Sequence, residues 1–194
     1  MNGGNILGKI ILVTGGARSG KSAFAEKLAL KLGDGRAAYI ATAQIYDSEM
    51  AYRVELHQAR RGDNWTTFEA PVAAEEKILA AGKDFDAILF DCVTLYISNF
   101  LCAADLDDEA TLRDNLRGLI QKLIDAALSS DAVTIFVTNE VGSGIVPENK
   151  LARRFRDLAG LANQVLAAHA DKVFLTVAGI AVDVKKLAEE MHDG

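Results

Sequence analysis

Apolar residues fall along this chain in two alternating rhythms. Ile10-Ile11-Leu12-Val13 is an unbroken apolar run, as expected of a strand buried on both faces, and Phe24, Leu28 and Leu32 then recur at helical spacing until Gly33. Ala37 to Thr42 is a second short buried strand, and Asp47 can cap a helix that runs to about Arg61, where Gly62-Asp63 breaks it. Trp65 to Pro71 reads as a short strand ending at a proline, and a helical pattern covers about Val72 to Ala81 before Gly82. Ala87-Ile88-Leu89-Phe90-Asp91 is an apolar strand closed by a carboxylate. From Leu95 to Leu128 the spacing is helical, with a polar break around Asp105 to Asp108. Val133 to Thr138 is a β-branched strand, followed by a loop with Gly142, Gly144 and Pro147. Leu151, Phe155, Leu158, Ala162 and Val165 mark one face of a long helix; Lys172 to Val177 is the last predicted strand, and the chain from about Val182 reads as helix.

Strands that alternate with helices in this way predict an α/β fold, a mostly parallel sheet with helices on both faces. Without an internal repeat or a long linker, residues 1–194 are expected to form one domain. Ligands of such sheets sit at the carboxyl ends of the strands, so Thr14 to Ser22, Thr42 to Gln44, Asp91 to Thr94, Asn139 to Gly144 and Ala178-Gly179 are the positions to watch. Composition adds exclusions. A formal net charge of −6 argues against non-specific nucleic-acid binding. No apolar run approaches a membrane span, and Met1 to Gly8 lacks the features of a signal peptide. The two cysteines, Cys92 and Cys102, are expected to be buried thiols in a reducing cytoplasm rather than a disulfide or a metal pair.

The sharpest motif lies between the first strand and the first helix. Gly15-Gly16-Ala17-Arg18-Ser19-Gly20-Lys21-Ser22 fits the phosphate-loop pattern G-x-x-x-x-G-K-[ST] at every fixed position, in the strand–loop–helix context that the motif requires. Backbone N–H groups of such a loop turn toward phosphate oxygens, and the helix N-terminus adds partial positive charge. Lys21 would reach the outer phosphates, and the Ser22 hydroxyl would ligate Mg²⁺. The sheet is therefore expected to be P-loop NTPase-like. Asp91, closing a later strand, reads as the acidic group that belongs near the Mg²⁺ or nucleotide, or else as a solvated strand-end acid; Asp86, at the opposite end of that strand, reads as structural.

Arg53, His57, Arg60 and Arg61 share one face of the helix predicted from Asp47. Their spacing admits two readings. The arginines are solvated or paired with acids such as Glu49, or the face holds a polyphosphate, whose flanking cations keep His57 neutral and able to attack phosphorus. Glu69 reads as an exposed strand-end acid or as an acceptor for the two N–H groups of a guanine edge. Arg153, Arg154 and Arg156 beside Asp157 read first as a solvated face with local ion pairs, and only second as a phosphate clamp. His169 and His192 have no partners at metal-ligand spacing, which argues against a protein-held zinc site.

These blocks resemble, in order, those of the bifunctional adenosylcobinamide kinase / adenosylcobinamide-phosphate guanylyltransferase family of cobalamin biosynthesis. The resemblance runs from Ile11-Leu12-Val13-Thr14 into the phosphate loop, through Tyr39 to Ala43, Asp47, Glu49-Met50, Arg53 and His57, then Trp65, Thr67, Glu69 and Pro71. It continues in Thr138 to Gly142, Gly144 to Asn149, and Arg153 to Gly160. It covers about residues 9 to 185 and is weak between Val72 and Ser130 outside Asp91, Cys92, Thr94 and Asn99. It implies two reactions: phosphorylation of adenosylcobinamide by a nucleoside triphosphate, ATP or GTP, and transfer of GMP from GTP onto the resulting phosphate. It further implies that His57 is the residue that becomes guanylylated. The implied nucleotide contacts are Gly15 to Ser22 (Gly15, Gly16, Ala17, Arg18, Ser19, Gly20, Lys21, Ser22), Ile40, Ala41, Thr42, Gln58, Ala59, Arg60, Arg61, Glu69 and Asp91, with Mg²⁺ near Ser22 and Asp91. A homotrimer is implied as well. The rival readings are a small-molecule kinase of the same fold without covalent histidine chemistry, and a regulatory GTPase, which the lack of an N-K-x-D guanine-reading motif disfavours.

Overall fold

The computed structural model describes residues 9–44, 62–104 and 108–192. The predicted Asp47-to-Arg61 helix, with Arg53, His57 and Gln58 to Arg61, lies outside the described residues, and so does the Asp105 to Asp107 part of the polar break. The described strands are β1 (Ile10–Gly15), β2 (Ala37–Ala41), β3 (Trp65–Glu69), β4 (Ala87–Asp91), β5 (Val133–Val137), β6 (Lys172–Val177) and β7 (Ile180–Asp183). The described helices are α1 (Lys21–Leu32), α2 (Ala74–Ala81), α3 (Val93–Ala103), α4 (Glu109–Ser129), α5 (Lys150–His169) and α6 (Val184–His192). The strands form one sheet in the order β3-β2-β4-β5-β1-β6-β7, parallel throughout except for the β6–β7 pair.

The unbroken apolar strands explain the layering. Alternate residues of one strand point to opposite faces, so Ile10, Leu12, Ile40, Ile88 and Phe90 join one core, and Ile11, Val13, Tyr39 and Leu89 the other. The first core is covered by α2, α3, α4 and α5, and the second by α1. Helix α1 comes close to the sheet because Ala25 and Ala29 are fully buried, with Phe24, Leu28 and Leu32 flanking them.

Three expectations change. The helix expected from about Val182 begins at Val184, and before it stands an unexpected antiparallel edge strand, Ile180–Asp183, joined to β6 by the two-residue turn Ala178-Gly179. Both turn residues have positive φ (51° and 82°), the backbone twist that a two-residue hairpin needs. Cys92 is buried but Cys102 is exposed; both thiols are free. Leu151, on the expected apolar face of α5, is 47% exposed, and the buried stripe of that helix begins at Leu158.

Candidate active site

Because six of the strands run parallel, their carboxyl ends share one edge of the sheet. Residues 15–22 stand at the middle of that edge, between the ends of β5 and β6. Gly16, Ala17 and Arg18 form the exposed crest of the loop, with Arg18 in the left-handed region (φ 57°). The loop is fastened on three sides: Ser19 N–H donates to Gly16 O (3.2 Å), Gly179 N–H donates to Ser19 O (2.8 Å), and Glu140 N–H donates to Gly15 O (3.0 Å). Gly15 must be glycine, since a Cβ there would lie 2.4 Å from Thr176 O and 2.6 Å from Ser19 Oγ.

Helix α1 opens at Gly20 with no side-chain cap and no acidic residue in its first turn. Helices α2 and α3 also lack a side-chain cap, whereas α4 is capped by Asp108 and α5 by Asn149. The first N–H groups of α1 are thus left to face an anion in the loop. Lys21 is only 9% exposed, and its Nζ donates to Gly16 O across the loop (3.3 Å). The side-chain oxygens of Thr14, Ser19 and Thr176 are buried around this loop with no hydrogen-bond partner among the described residues.

Two strands away across the sheet, Asp91 lies in register with Val137, which itself is level with Val13 of β1. Strand spacing puts that separation at about 10 Å. Tyr39 OH donates to Asp91 Oδ2 (2.7 Å), which fixes the carboxylate's orientation. Next to it, Cys92 feels Asp91 and Lys21 with opposite effect. Burial, reinforced by Asp91, outweighs the lysine and pushes the thiol up to about 11, so it is neutral at ordinary pH. Glu69 is exposed at the end of the edge strand β3, level with Asp91 through Ala41. It stands four strands, or about 19 Å, from β1.

Ile40 and Ala41 are buried in β2, and Thr42 follows them at the carboxyl end. Thr42 Oγ1 accepts from Cys92 N–H and donates to Cys92 O, both at 2.8 Å, while Thr42 N–H donates to Asp91 O. Asn99 of α3, 6% exposed, donates from Nδ2 to Thr42 O (2.9 Å) and Pro71 O (3.0 Å). Thr94 Oγ1 lies 3.0 Å from Cys92 Sγ and accepts from Asn139 Nδ2 (2.9 Å), and Asn163 Nδ2 donates to Asn139 O. These amides and hydroxyls bind the ends of β2, β4 and β5 to one another. Thr94 and Asn139 fall at the strand ends singled out from the sequence, but the bracing role of Tyr39, Thr94, Asn99 and Asn139 is not readable there; the one signal is polar residues embedded in apolar helical and strand patterns.

The arginines of α5 make local ion pairs and hydrogen bonds, as expected, but on a half-buried rather than a solvated face. Arg154 pairs with Glu109 and Arg156 with Asp157, each at 3.2 Å, while Arg153 donates to Pro147 O and Glu148 O. The recess beside Arg154 encloses about 20 Å³, room for a water rather than a phosphate. His169 ends α5, exposed, with Nδ1 2.9 Å from Val165 O. Among the described residues no three His, Cys, Asp or Glu side chains gather as a metal site, and no helix is long and apolar enough to cross a membrane.

Comparison with known proteins gives this geometry a context. The model of the family described as cobinamide kinase / cobinamide phosphate guanyltransferase matches residues 11–184. The chain is 47% identical over 183 residues to the "bifunctional adenosylcobalamin biosynthesis protein CobU" of Salmonella typhimurium, covering 91% of this chain and 99% of that one. The protein of that name from Escherichia coli K12 is 46% identical with the same coverage. The "bifunctional adenosylcobalamin biosynthesis protein CobP" of Pseudomonas aeruginosa is 38% identical over 174 residues, 90% of this chain and 96% of that one. Among solved structures, a KaiC-like protein from Pyrococcus horikoshii overlaps 86% of this chain and 69% of its own at 15% identity and a TM-score of 0.47, a likeness too slight to bear on function.

Proposed function

The chain belongs to the cobinamide kinase / cobinamide phosphate guanyltransferase family, and on that premise we propose that one domain, residues 1–194, carries out both reactions. It phosphorylates the aminopropanol hydroxyl of adenosylcobinamide and then transfers GMP from GTP to that phosphate, giving adenosylcobinamide-GDP and pyrophosphate. The observation that carries the reading is the phosphate loop: an uncapped α1 N-terminus, a buried Lys21 and, at Gly15, no room for a side chain.

In the kinase step the loop N–H groups, Lys21 and Arg18 counter the charge of the triphosphate. The substrate hydroxyl oxygen forms a bond to the γ-phosphorus as the β–γ bridge bond breaks; the hydroxyl proton is released to solvent and a nucleoside diphosphate leaves. Ser22 and Asp91 would hold a magnesium ion. They are hard oxygen donors, too few to enclose a cation alone, which suits an ion that keeps water and phosphate in its shell. Such an ion, when bound, neutralises charge on the phosphate oxygens.

In the transfer step the lone pair of the neutral His57 imidazole attacks the α-phosphorus of GTP. A P–N bond forms, the α–β bridge bond breaks and pyrophosphate departs. An oxygen of the cobinamide phosphate then attacks the same phosphorus, which forms a P–O bond and returns the imidazole. Two displacements split one difficult transfer into two easier ones, with pyrophosphate leaving in the first and the imidazole in the second. Gln58, Ala59, Arg60 and Arg61 would flank the nucleotide, and Glu69 would accept from the guanine edge. The enzyme acts as a cytoplasmic homotrimer. The test is turnover: protein with adenosylcobinamide, ATP or GTP and Mg²⁺ should yield the corrinoid phosphate and, with GTP, adenosylcobinamide-GDP with pyrophosphate. Nucleotide hydrolysis without any phosphorylated corrinoid would contradict the proposal.

A further inference from the structure

The geometry points to a binding site for an edge of the corrinoid acceptor in a cavity of about 330 Å³ between the β3–α2 loop, α3 and α4. This inference rests on the reading above and adds to it the acceptor's place. The cavity belongs to the ligand-binding edge of the sheet: Pro71 to Ala73 directly follow the carboxyl end of β3, and α3 begins directly after β4. Its wall is mostly apolar, built from Val72, Tyr96, Phe100 and Leu119, with the amides of Asn99 and Asn115 set among them.

Three features select the occupant. First, no described residue of the lining carries a charge, which suits a ligand recognised by apolar contact and amide pairing and offers nothing to a triphosphate. A corrinoid presents this chemistry, a broad macrocycle fringed with primary carboxamides. Second, the volume is at the low end for a small-molecule site, so the cavity takes one edge with its amide arm and leaves the rest of the ring outside. Third, the wall is joined to the nucleotide end of the sheet. Buried Asn99 lines the cavity while its Nδ2 holds both Thr42 O and Pro71 O. Thr42 is in turn locked to the backbone of Cys92, next to Asp91. An acceptor seated here and a nucleotide at the strand ends would therefore share one rigid mount, as transfer between them requires.

Binding of adenosylcobinamide, read from the visible absorbance of the corrin after ultrafiltration, tests the inference on the wild type, Ala103→Trp and Asn115→Ala. Ala103 and Asn115 are exposed residues of the lining, so an indole at 103 fills the cavity without entering the core, and loss of the 115 amide leaves the fold alone. The expected result is a Kd raised about tenfold or more by Ala103→Trp and about threefold by Asn115→Ala. Guanylylation by GTP alone, measured in parallel, should proceed at the wild-type rate. Wild-type binding that both variants leave unchanged would overturn the inference. So would variants that bind the corrinoid normally but lose guanylylation, which would give the cavity to a nucleotide. Failure of the wild type to bind the corrinoid at all would remove the functional reading itself, and this inference with it.

Discussion

Lys21 illustrates how one side chain takes its meaning from its surroundings. At 9% exposure an ammonium group needs compensation; Gly16 O supplies one acceptor, while the uncapped N–H groups of the α1 N-terminus add positive charge that an anion in the loop would answer. Lys21→Met keeps much of the volume and removes the charge. We expect kcat for corrinoid phosphorylation to fall by about 10²–10³-fold with little change in Tm; a rate within about threefold of wild type would detach the lysine from catalysis. Cys92 gives a second prediction at this scale. Its thiol is held up to about 11 from an ordinary 9.0, chiefly by burial, while Cys102 is exposed. At neutral pH an alkylating reagent should mark Cys102 in the native protein and reach Cys92 only after denaturation, as peptide mass mapping would report. The same shift has a sign in stability. A group whose pKa is higher folded than unfolded has no unfavourable effect below the unfolded value. As pH rises from 9.0 toward about 11 the unfolded thiol ionises and the folded one does not. Stability attributable to Cys92 should therefore decline across that window in wild type, and Cys92→Ala should flatten the decline.

The elements show where sequence was sufficient and where it was not. Strands β1, β2, β4 and β5 and helix α1 are legible because each is strongly patterned and bounded by glycine or polar residues. The phosphate loop was legible for a different reason, since its fixed positions answer to backbone geometry. Gly15→Ala tests that geometry. The added methyl would meet Thr176 O at 2.4 Å, a backbone atom of the neighbouring strand β6 that cannot swing away. The expected cost is on the order of 1–3 kcal/mol, seen as a lower Tm, together with loss of nucleotide binding; an unchanged Tm would mean that β6 gives way easily. Strand β7 was not legible: its turn, Ala178-Gly179, lacks the Asn-Gly signature, and four residues are too few to display a period before α6 begins. The Thr42–Cys92–Asn99 links were equally hidden, because their partners lie 50 and 57 residues apart and only the sheet brings them together.

At the scale of the whole molecule, strand order decides which candidates can act together. Strands β1, which carries the phosphate loop, and β4, which ends in Asp91, are about 10 Å apart, and Glu69 on the far edge is about 19 Å from β1. A guanine held at Glu69, as proposed, would lie on the β3–β2–β4 side of the sheet, the side that also carries the cavity proposed for the acceptor. The chain between β2 and β3, which contains His57, joins the same two strands. A guanylyl group carried by that histidine would link the triphosphate at the centre of the sheet with an acceptor at its side. The most direct test is the intact mass of the protein after incubation with GTP and Mg²⁺ in the absence of acceptor, for wild type and for His57→Ala. The account predicts an adduct of one GMP on wild type, mapped to His57, labile in acid and stable in base, and none on the variant. An unmodified wild type that still phosphorylates adenosylcobinamide, or an adduct that persists in His57→Ala, would contradict it.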